Sequence, residues 1–209
     1  MTKAKKLETL CQWCGQQANQ GETVLVLAHF PSSFMENQDA LQESGLDYQI
    51  FAERMNPPKL AHWLGETNRR GQIFLSMAQM LEPVEPHSPL SDSNPRPIDD
   101  QTKLSVIVTE RYPLVSQDEK LEIFFRSLPA KTSMGYLIAF DDPLVVGLLG
   151  KRFVDLMEQL GFNENELISS AMTYRGLTRK IRKATASLTD EKPAESPEEW
   201  IALNGLPTK

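Results

Sequence analysis

The chain is expected to fold as an α/β domain in which a parallel sheet is flanked by helices, and three observations predict this. Short continuous apolar runs recur along it, as in Val24-Leu25-Val26-Leu27-Ala28 and in Leu104 to Thr109, and such runs mark strands buried on both faces. Amphipathic stretches of helical length separate these runs, and strands alternating with helices at this spacing build βαβ units. With 209 residues, 40% of them hydrophobic and 24% charged, the chain can bury one core without disulfides or metals.

Each element has its own signal. Leu7, Leu10, Cys11, Cys14 and Ala18 keep a helical period through residues 4–19, and Gly21 ends that helix. Val24 to Ala28 is the first strand. Ser33-Phe34-Met35-Glu36 has capping-box spacing and is expected to open a second helix that stops at Gly45. Tyr48 to Ala52 is the second strand. Pro57 and Pro58 start a third helix, with Leu60, Trp63, Leu64 and Thr67 in phase. Gln72 to Ser76 is the third strand. Residues 82–100 then hold Pro83, Pro86, Pro89, Pro95 and Pro97 among Ser, Asp and Asn, the composition of a surface insertion within the domain.

Leu104 to Thr109 is the fourth strand. A helix through Asp118, Leu121, Phe124, Phe125 and Leu128 follows, and then a strand from Tyr136 to Phe140. From Pro143 to about Ala184 the pattern is helical with a break at Gly161, giving the domain a helical C-terminal extension. One domain therefore spans 1–185, and residues 186–209, acidic and Pro-containing, read as a flexible tail.

The formal net charge of −6 argues against nucleic acid as a partner, because phosphate binding needs a positive field. The basic start, Met-Thr-Lys-Ala-Lys-Lys, leads into no continuous apolar stretch, so neither a secretory signal nor membrane insertion is expected. Cys11 and Cys14 are the two cysteines. Reduced thiols on a helix face fit a cytoplasmic protein. Their spacing also suits a redox or zinc site. Both fall mid-helix, however, and the three histidines, His29, His62 and His87, are scattered, so a buried helix face is the simpler account.

Other motifs are weighed the same way. Gly147-Leu148-Leu149-Gly150-Lys151-Arg152 lacks both the earlier Gly and the following Ser or Thr of a phosphate loop, and reads as a helix junction. His29 follows the first strand, where α/β proteins place ligand-contacting loops, but no nucleophile with an ordered base can be argued around it; it reads as an ordinary loop histidine. Asp141 and Asp142, at a strand end before Pro143, are expected to cap the next helix. Arg175, Arg179, Lys180, Arg182 and Lys183 make a basic helix, either merely solvated or a surface for an acidic partner, a ribosome or anionic lipid.

Three stretches carry a family resemblance. Gly21 to Leu27, with a helix and then Ser44-Gly45-Leu46-Asp47-Tyr48-Gln49-Ile50, resembles the opening strand, helix and second strand of the second nucleotide-binding domain of the SecA preprotein translocase motor, a RecA-like, helicase C-terminal-type domain of P-loop NTPase type. Leu104 to Arg111 is similar to that family's strand ending in Thr-Glu-Arg. Tyr136 to Leu144, Gly150 to Val154 and Met157 to Gly161 look like its final strand, acidic turn and following helices.

The departures are as informative. Where the family has a Gly-rich motif ending in Thr-Asp, this chain reads Leu75-Ser76-Met77-Ala78-Gln79-Met80-Leu81. Where the family carries its arginine fingers, it reads Lys120 to Ser127, with Arg126 one residue off; on a helix that is a turn of about 100°. A finger works only when placed on the transferring phosphoryl group. The resemblance thus implies a RecA-like module with its catalytic motifs erased. Such a module is not an enzyme by itself, has no cofactor and no metal, and takes another protein as partner, with protein transport as the implied setting. The alternative is half of a split ATPase that docks on a separate P-loop-bearing chain, with Glu110, Arg111 and Arg126 as its polar interface.

Overall fold

The computed structural model describes residues 2–66, 70–82, 103–150 and 171–206. Five strands form one all-parallel sheet in the order β2-β3-β1-β4-β5: β1 Thr23–Ala28, β2 Tyr48–Ile50, β3 Ile73–Met77, β4 Lys103–Val108 and β5 Lys131–Tyr136. The helices are α1 Lys3–Asn19, α2 Pro31–Glu43, α3 Pro57–Glu66, α4 Val115–Arg126, α5 Pro143–Leu149, α6 Ala171–Ala184 and α7 Pro197–Leu203. This is the α/β arrangement expected of a RecA-like domain, with a helical extension after the sheet.

β1 occupies the centre, so all six of its residues are buried. Its side chains alternate between faces. Val24 and Val26 meet Leu10 and Cys14 of α1 and Leu41 of α2. Leu25 and Leu27 meet Leu60 and Leu64 of α3 and Leu121, Phe124 and Phe125 of α4 on the opposite side. Both faces are covered, which explains why this strand shows no polar alternation in the sequence. The turn before β3 needs Gly71: its φ is 73°, and a Cβ there would meet the Ala18 carbonyl oxygen at 2.9 Å.

Several boundaries differ from the sequence expectation, each for a physical reason. The last strand lies earlier than Tyr136–Phe140. β5 is an edge strand whose residues are by turns exposed and half-buried, so its polar sequence carries no apolar signal. The apolar run Leu137 to Phe140 instead leaves the sheet toward α5, with Leu137 and Ala139 buried. α2 does not begin at a capping box. Pro31 stands at its first position, Phe30 at its N-cap without a side-chain bond, and the Ser33 hydroxyl is engaged elsewhere. The 82–100 insertion beyond Glu82 and the break at Gly161 lie outside the described residues.

The stretch expected to be a flexible tail is docked through residue 206. Ser196 accepts a hydrogen bond from the Glu199 amide at 3.2 Å, Pro197 takes the first helical position, and Glu198 and Glu199 fill the first turn of α7. Trp200 is fully buried in a cluster with Phe30 and Ile201. Ser-Pro-Glu-Glu-Trp is a helix-start signature with an aromatic anchor, outweighed in the sequence by the acidic, Pro-containing surroundings.

Candidate functional site at the carboxyl edge of the sheet

β1 and β4 are neighbours, while the chain runs from β1 out to β2 and returns through β3. Their carboxyl ends therefore flank the point where strand order reverses, the place where open α/β sheets bind ligands. His29 and Phe30 follow β1, and Thr109 to Tyr112 follow β4.

These residues form a dense polar network. The Glu110 carboxylate accepts from the His29 amide at 2.8 Å, the Phe30 amide at 3.1 Å and the Ser33 hydroxyl at 2.5 Å. It thereby takes up backbone donors at the start of α2. Asp118 of α4 accepts from Arg111 Nε at 2.5 Å and from the Tyr112 amide at 3.3 Å, and lies 3.1 Å from His29 Nε2. The Arg111 guanidinium sits 4.9 Å from the Tyr136 ring centroid and 4.4 Å from that of Tyr174. Its Nη1 donates to Thr178 at 3.3 Å, while its Nη2 has no partner among the described residues. Lys6 of α1 reaches across to Asp142 at 2.6 Å and to the Thr109 carbonyl at 3.0 Å, and both partners are largely buried.

Burial sets the titration of these groups. It pushes the Glu110 carboxyl above its ordinary value of 4.5, against the opposing pull of Ser33, His29 and the two amides. It raises Asp142 as well, in spite of Lys6 beside it. Tyr174 is pushed up to about 12 by burial and by its bond to Glu122. A carboxyl whose folded pKa exceeds its unfolded one holds an extra proton in the native state between the two values. Its stability contribution is thus complete below about pH 4.5 and lost as the pH rises through the folded pKa. Stability is expected to fall with rising pH across that window. Glu110→Gln should flatten the slope, because Gln keeps a carbonyl for the two amides and adds a donor for Ser33. Asp142 has the same sign, so some slope remains. Urea melts from pH 4 to 8 check this, and an unchanged slope in the variant would refute it.

The residues anticipated from sequence do not converge. Glu110 and Arg111 are buried and internally bonded. Arg126 lies exposed at the other end of α4, eleven residues after Val115, or about 16 Å along the axis. Arg175, Arg179, Lys180, Arg182 and Lys183 do share the outward side of α6, opposite buried Leu177 and Ile181, and Arg182 pairs with Glu119. His29 is no ordinary loop residue: only 5% of its side chain is exposed. Asp142 holds the N-cap position of α5, but its side chain caps nothing there and accepts instead from Lys6 and from the Ala139 amide at 2.7 Å. Asp141 accepts from the Lys3 amide at 3.0 Å. Gly147 lies within α5 and Gly150 closes it, and Lys151 and Arg152 are outside the described residues. Cys14 is fully buried and burial raises its thiol; Cys11 donates to the Ala40 carbonyl at 3.3 Å.

Sequence pattern alone did not single out Lys6, Asp118 or Trp200 as site residues. Asp118 had a signal, as a charged residue in phase with the apolar stripe Leu121, Phe124, Phe125 and Leu128. Lys6, one turn before Leu10 on α1, had a similar one.

The chemistry open to this arrangement is narrow. Ser33 donates to a carboxylate and not to the histidine, so these groups make no nucleophile–base pair. The cleft between α1, α2, α5 and α7 has a volume of about 80 Å³, lined by Lys3, Lys6, Ser33, Glu110, Asp142 and Pro197 among others. Ligand pockets usually run to about 300–1,000 Å³, so this one has room for a few waters and not for a nucleotide. No described helix is long and apolar enough to cross a membrane. No protein-family model matches the chain, and no curated protein matches its sequence.

Proposed function

We propose that this chain is a non-catalytic, SecA-like α/β module that acts in the cytoplasm by binding another protein, in a process linked to protein translocation. The observation that carries the reading is the seat of the Glu110 carboxylate. In nucleotide-binding α/β proteins the backbone donors at the start of the helix after the first strand receive phosphate. Here the chain's own Glu110 carboxyl accepts from the amides of His29 and Phe30, and a phosphate brought to the same donors meets a filled crevice.

The same geometry favours the interaction module over a split ATPase. A half-site for a partner's nucleotide needs its polar groups on an open face, whereas Glu110 and Arg111 are 5% and 4% exposed and already bonded. The resemblance to the SecA domain is carried by three stretches of sequence, and in the second of them Thr109, Glu110 and Arg111 hold their side chains inward.

Titrating the full chain with Mg-ATP in a calorimeter is expected to give no binding stronger than a Kd of about 10 μM, equivalent to about −7 kcal/mol. A tighter constant, or ATP hydrolysis above background, would overturn the proposal.

A further inference from the structure

The fourteen residues of α6 carry five cations and no acidic side chain. Arg175, Arg179 and Lys183 follow one another at four-residue steps, so they stand in one row about 6 Å apart on an arc of about 80°. All three are exposed, as are Lys180 and Arg182. Arg182 pairs with Glu119 of α4, and among the described residues the other four cations have no acidic partner. Like charges four residues apart destabilise a helix, and a helix face that is merely solvated usually alternates bases with acids. The packing of α6 comes from its inward side, where Leu177 and Ile181 are buried with Val115, Leu144 and Val145 and the Tyr174 hydroxyl donates to Glu122. The row stands outside that packing and repels itself, and a counter-charge from outside relieves the repulsion.

The remaining surface limits what that counter-charge can be. The chain has a net charge of −6 although α6 contributes five positive charges, so the rest of the molecule is strongly negative. A nucleic acid or a bilayer spreads its charge well past the Debye length of about 8–10 Å and meets that negative remainder. A membrane-surface helix also needs a free apolar face. Among the described side chains the exposed large hydrophobics are Met35, Ile50, Ile123 and Leu203, and none of them is on α6. A short acidic segment meets the row alone. Three of the five cations are arginines, whose forked donors suit carboxylates. Two residues of extended chain span about 6.6 Å, close to the step of the row. We infer that the row of Arg175, Arg179 and Lys183 is the docking surface for a short acidic segment of a partner protein, with carboxylates at alternate positions meeting successive cations. This rests on the reading of the chain as a protein-binding module and deepens it by naming the surface and the partner's chemistry.

The test titrates the full chain with a short fluorescent peptide bearing glutamate at alternate positions, read by anisotropy. The variant Arg175→Gln, Arg179→Gln, Lys183→Gln is expected to bind it at least about tenfold more weakly than wild type. A control, Lys59→Gln, Lys103→Gln, Lys131→Gln, removes the same charge from exposed positions on α3, β4 and β5 and is expected to bind like wild type. An equal loss in the control would reduce the effect to net charge and overturn the inference. So would no binding to wild type at about 50 mM salt, where exposed charges are only partly screened. Tighter binding of a single-stranded RNA of equal charge, or of vesicles containing anionic lipid, would put another class of partner on α6 and sink the proposal as well. Gln forms helix about as readily as Arg or Lys, so urea melts of the α6 variant are expected to match those of the control. A clearly less stable α6 variant would make the row a support of the fold and not a docking surface. The Mg-ATP titration reads the crevice at Glu110 and this one reads α6, so either can fail without the other.

Discussion

Replacing Asp118 with Ala is expected to cost about 3–5 kcal/mol, the largest loss from any single charged residue of the network. The Asp118 and Arg111 side chains are each 1% exposed, and they meet at 2.5 Å. Removing the carboxylate leaves the guanidinium buried between two tyrosine rings with no counter-charge, and Nη2 already lacks a partner among the described residues. It also takes an acceptor from the Tyr112 amide and a neighbour from His29. A buried ion pair differs from a surface one in this respect. Its formation gains little overall, because desolvation offsets the attraction, but its disruption is costly. The double variant Asp118→Leu with Arg111→Met should therefore recover much of the loss. Urea denaturation of Asp118→Leu, of Arg111→Met and of the double variant checks this. If the double loss equals the sum of the singles, the two side chains do not act as a pair.

Phe124→Ala is expected to cost a similar amount, about 3–5 kcal/mol, through a different cause. Phe124 is 1% exposed, lies edge-on to Phe125 at 5.2 Å, and packs with Leu25, Leu27 and Val106 beneath α4. Truncation removes transfer free energy and opens a cavity that a close-packed sheet face closes poorly. Its sequence neighbour supplies the contrast. Ile123 is 58% exposed on the outer side of the same helix, and Ile123→Ala should stay within about 0.5 kcal/mol of wild type. Equal effects at the two positions, read from the same urea melts, would mean that α4 turns a different face to the sheet.

Periodicity alone makes the layers of this domain legible. The unbroken apolar run of β1 requires cover on both faces, and the stripes of α1 and α4 provide it. The edge strand β5 was displaced for the converse reason: with one pairing edge and half-exposed residues, its sequence need not be apolar. Local pattern likewise marked His29 and Glu110 as strand-end residues. It did not reveal that β1 and β4 lie side by side, and so it could not bring Glu110, 81 residues on, to the His29 amide.

By itself the sequence determined the features that spacing along the chain sets: the alternation of helices with the buried strands β1, β3 and β4, and which helix faces are apolar. Whether a charged residue is a solvated surface group or a buried structural one was decided only by tertiary structure. Lys6 and Asp142 are 136 positions apart and meet as a buried pair, while Arg126, close in sequence to Glu110 and Arg111, stands at the opposite end of α4. The acidic segment around Trp200 shows the same division. Its composition is that of a disordered tail, and tertiary structure brings it the apolar contacts of Phe30, Tyr112 and Leu114 and of the cluster around Leu144 and Val145, which offset the entropy of ordering it.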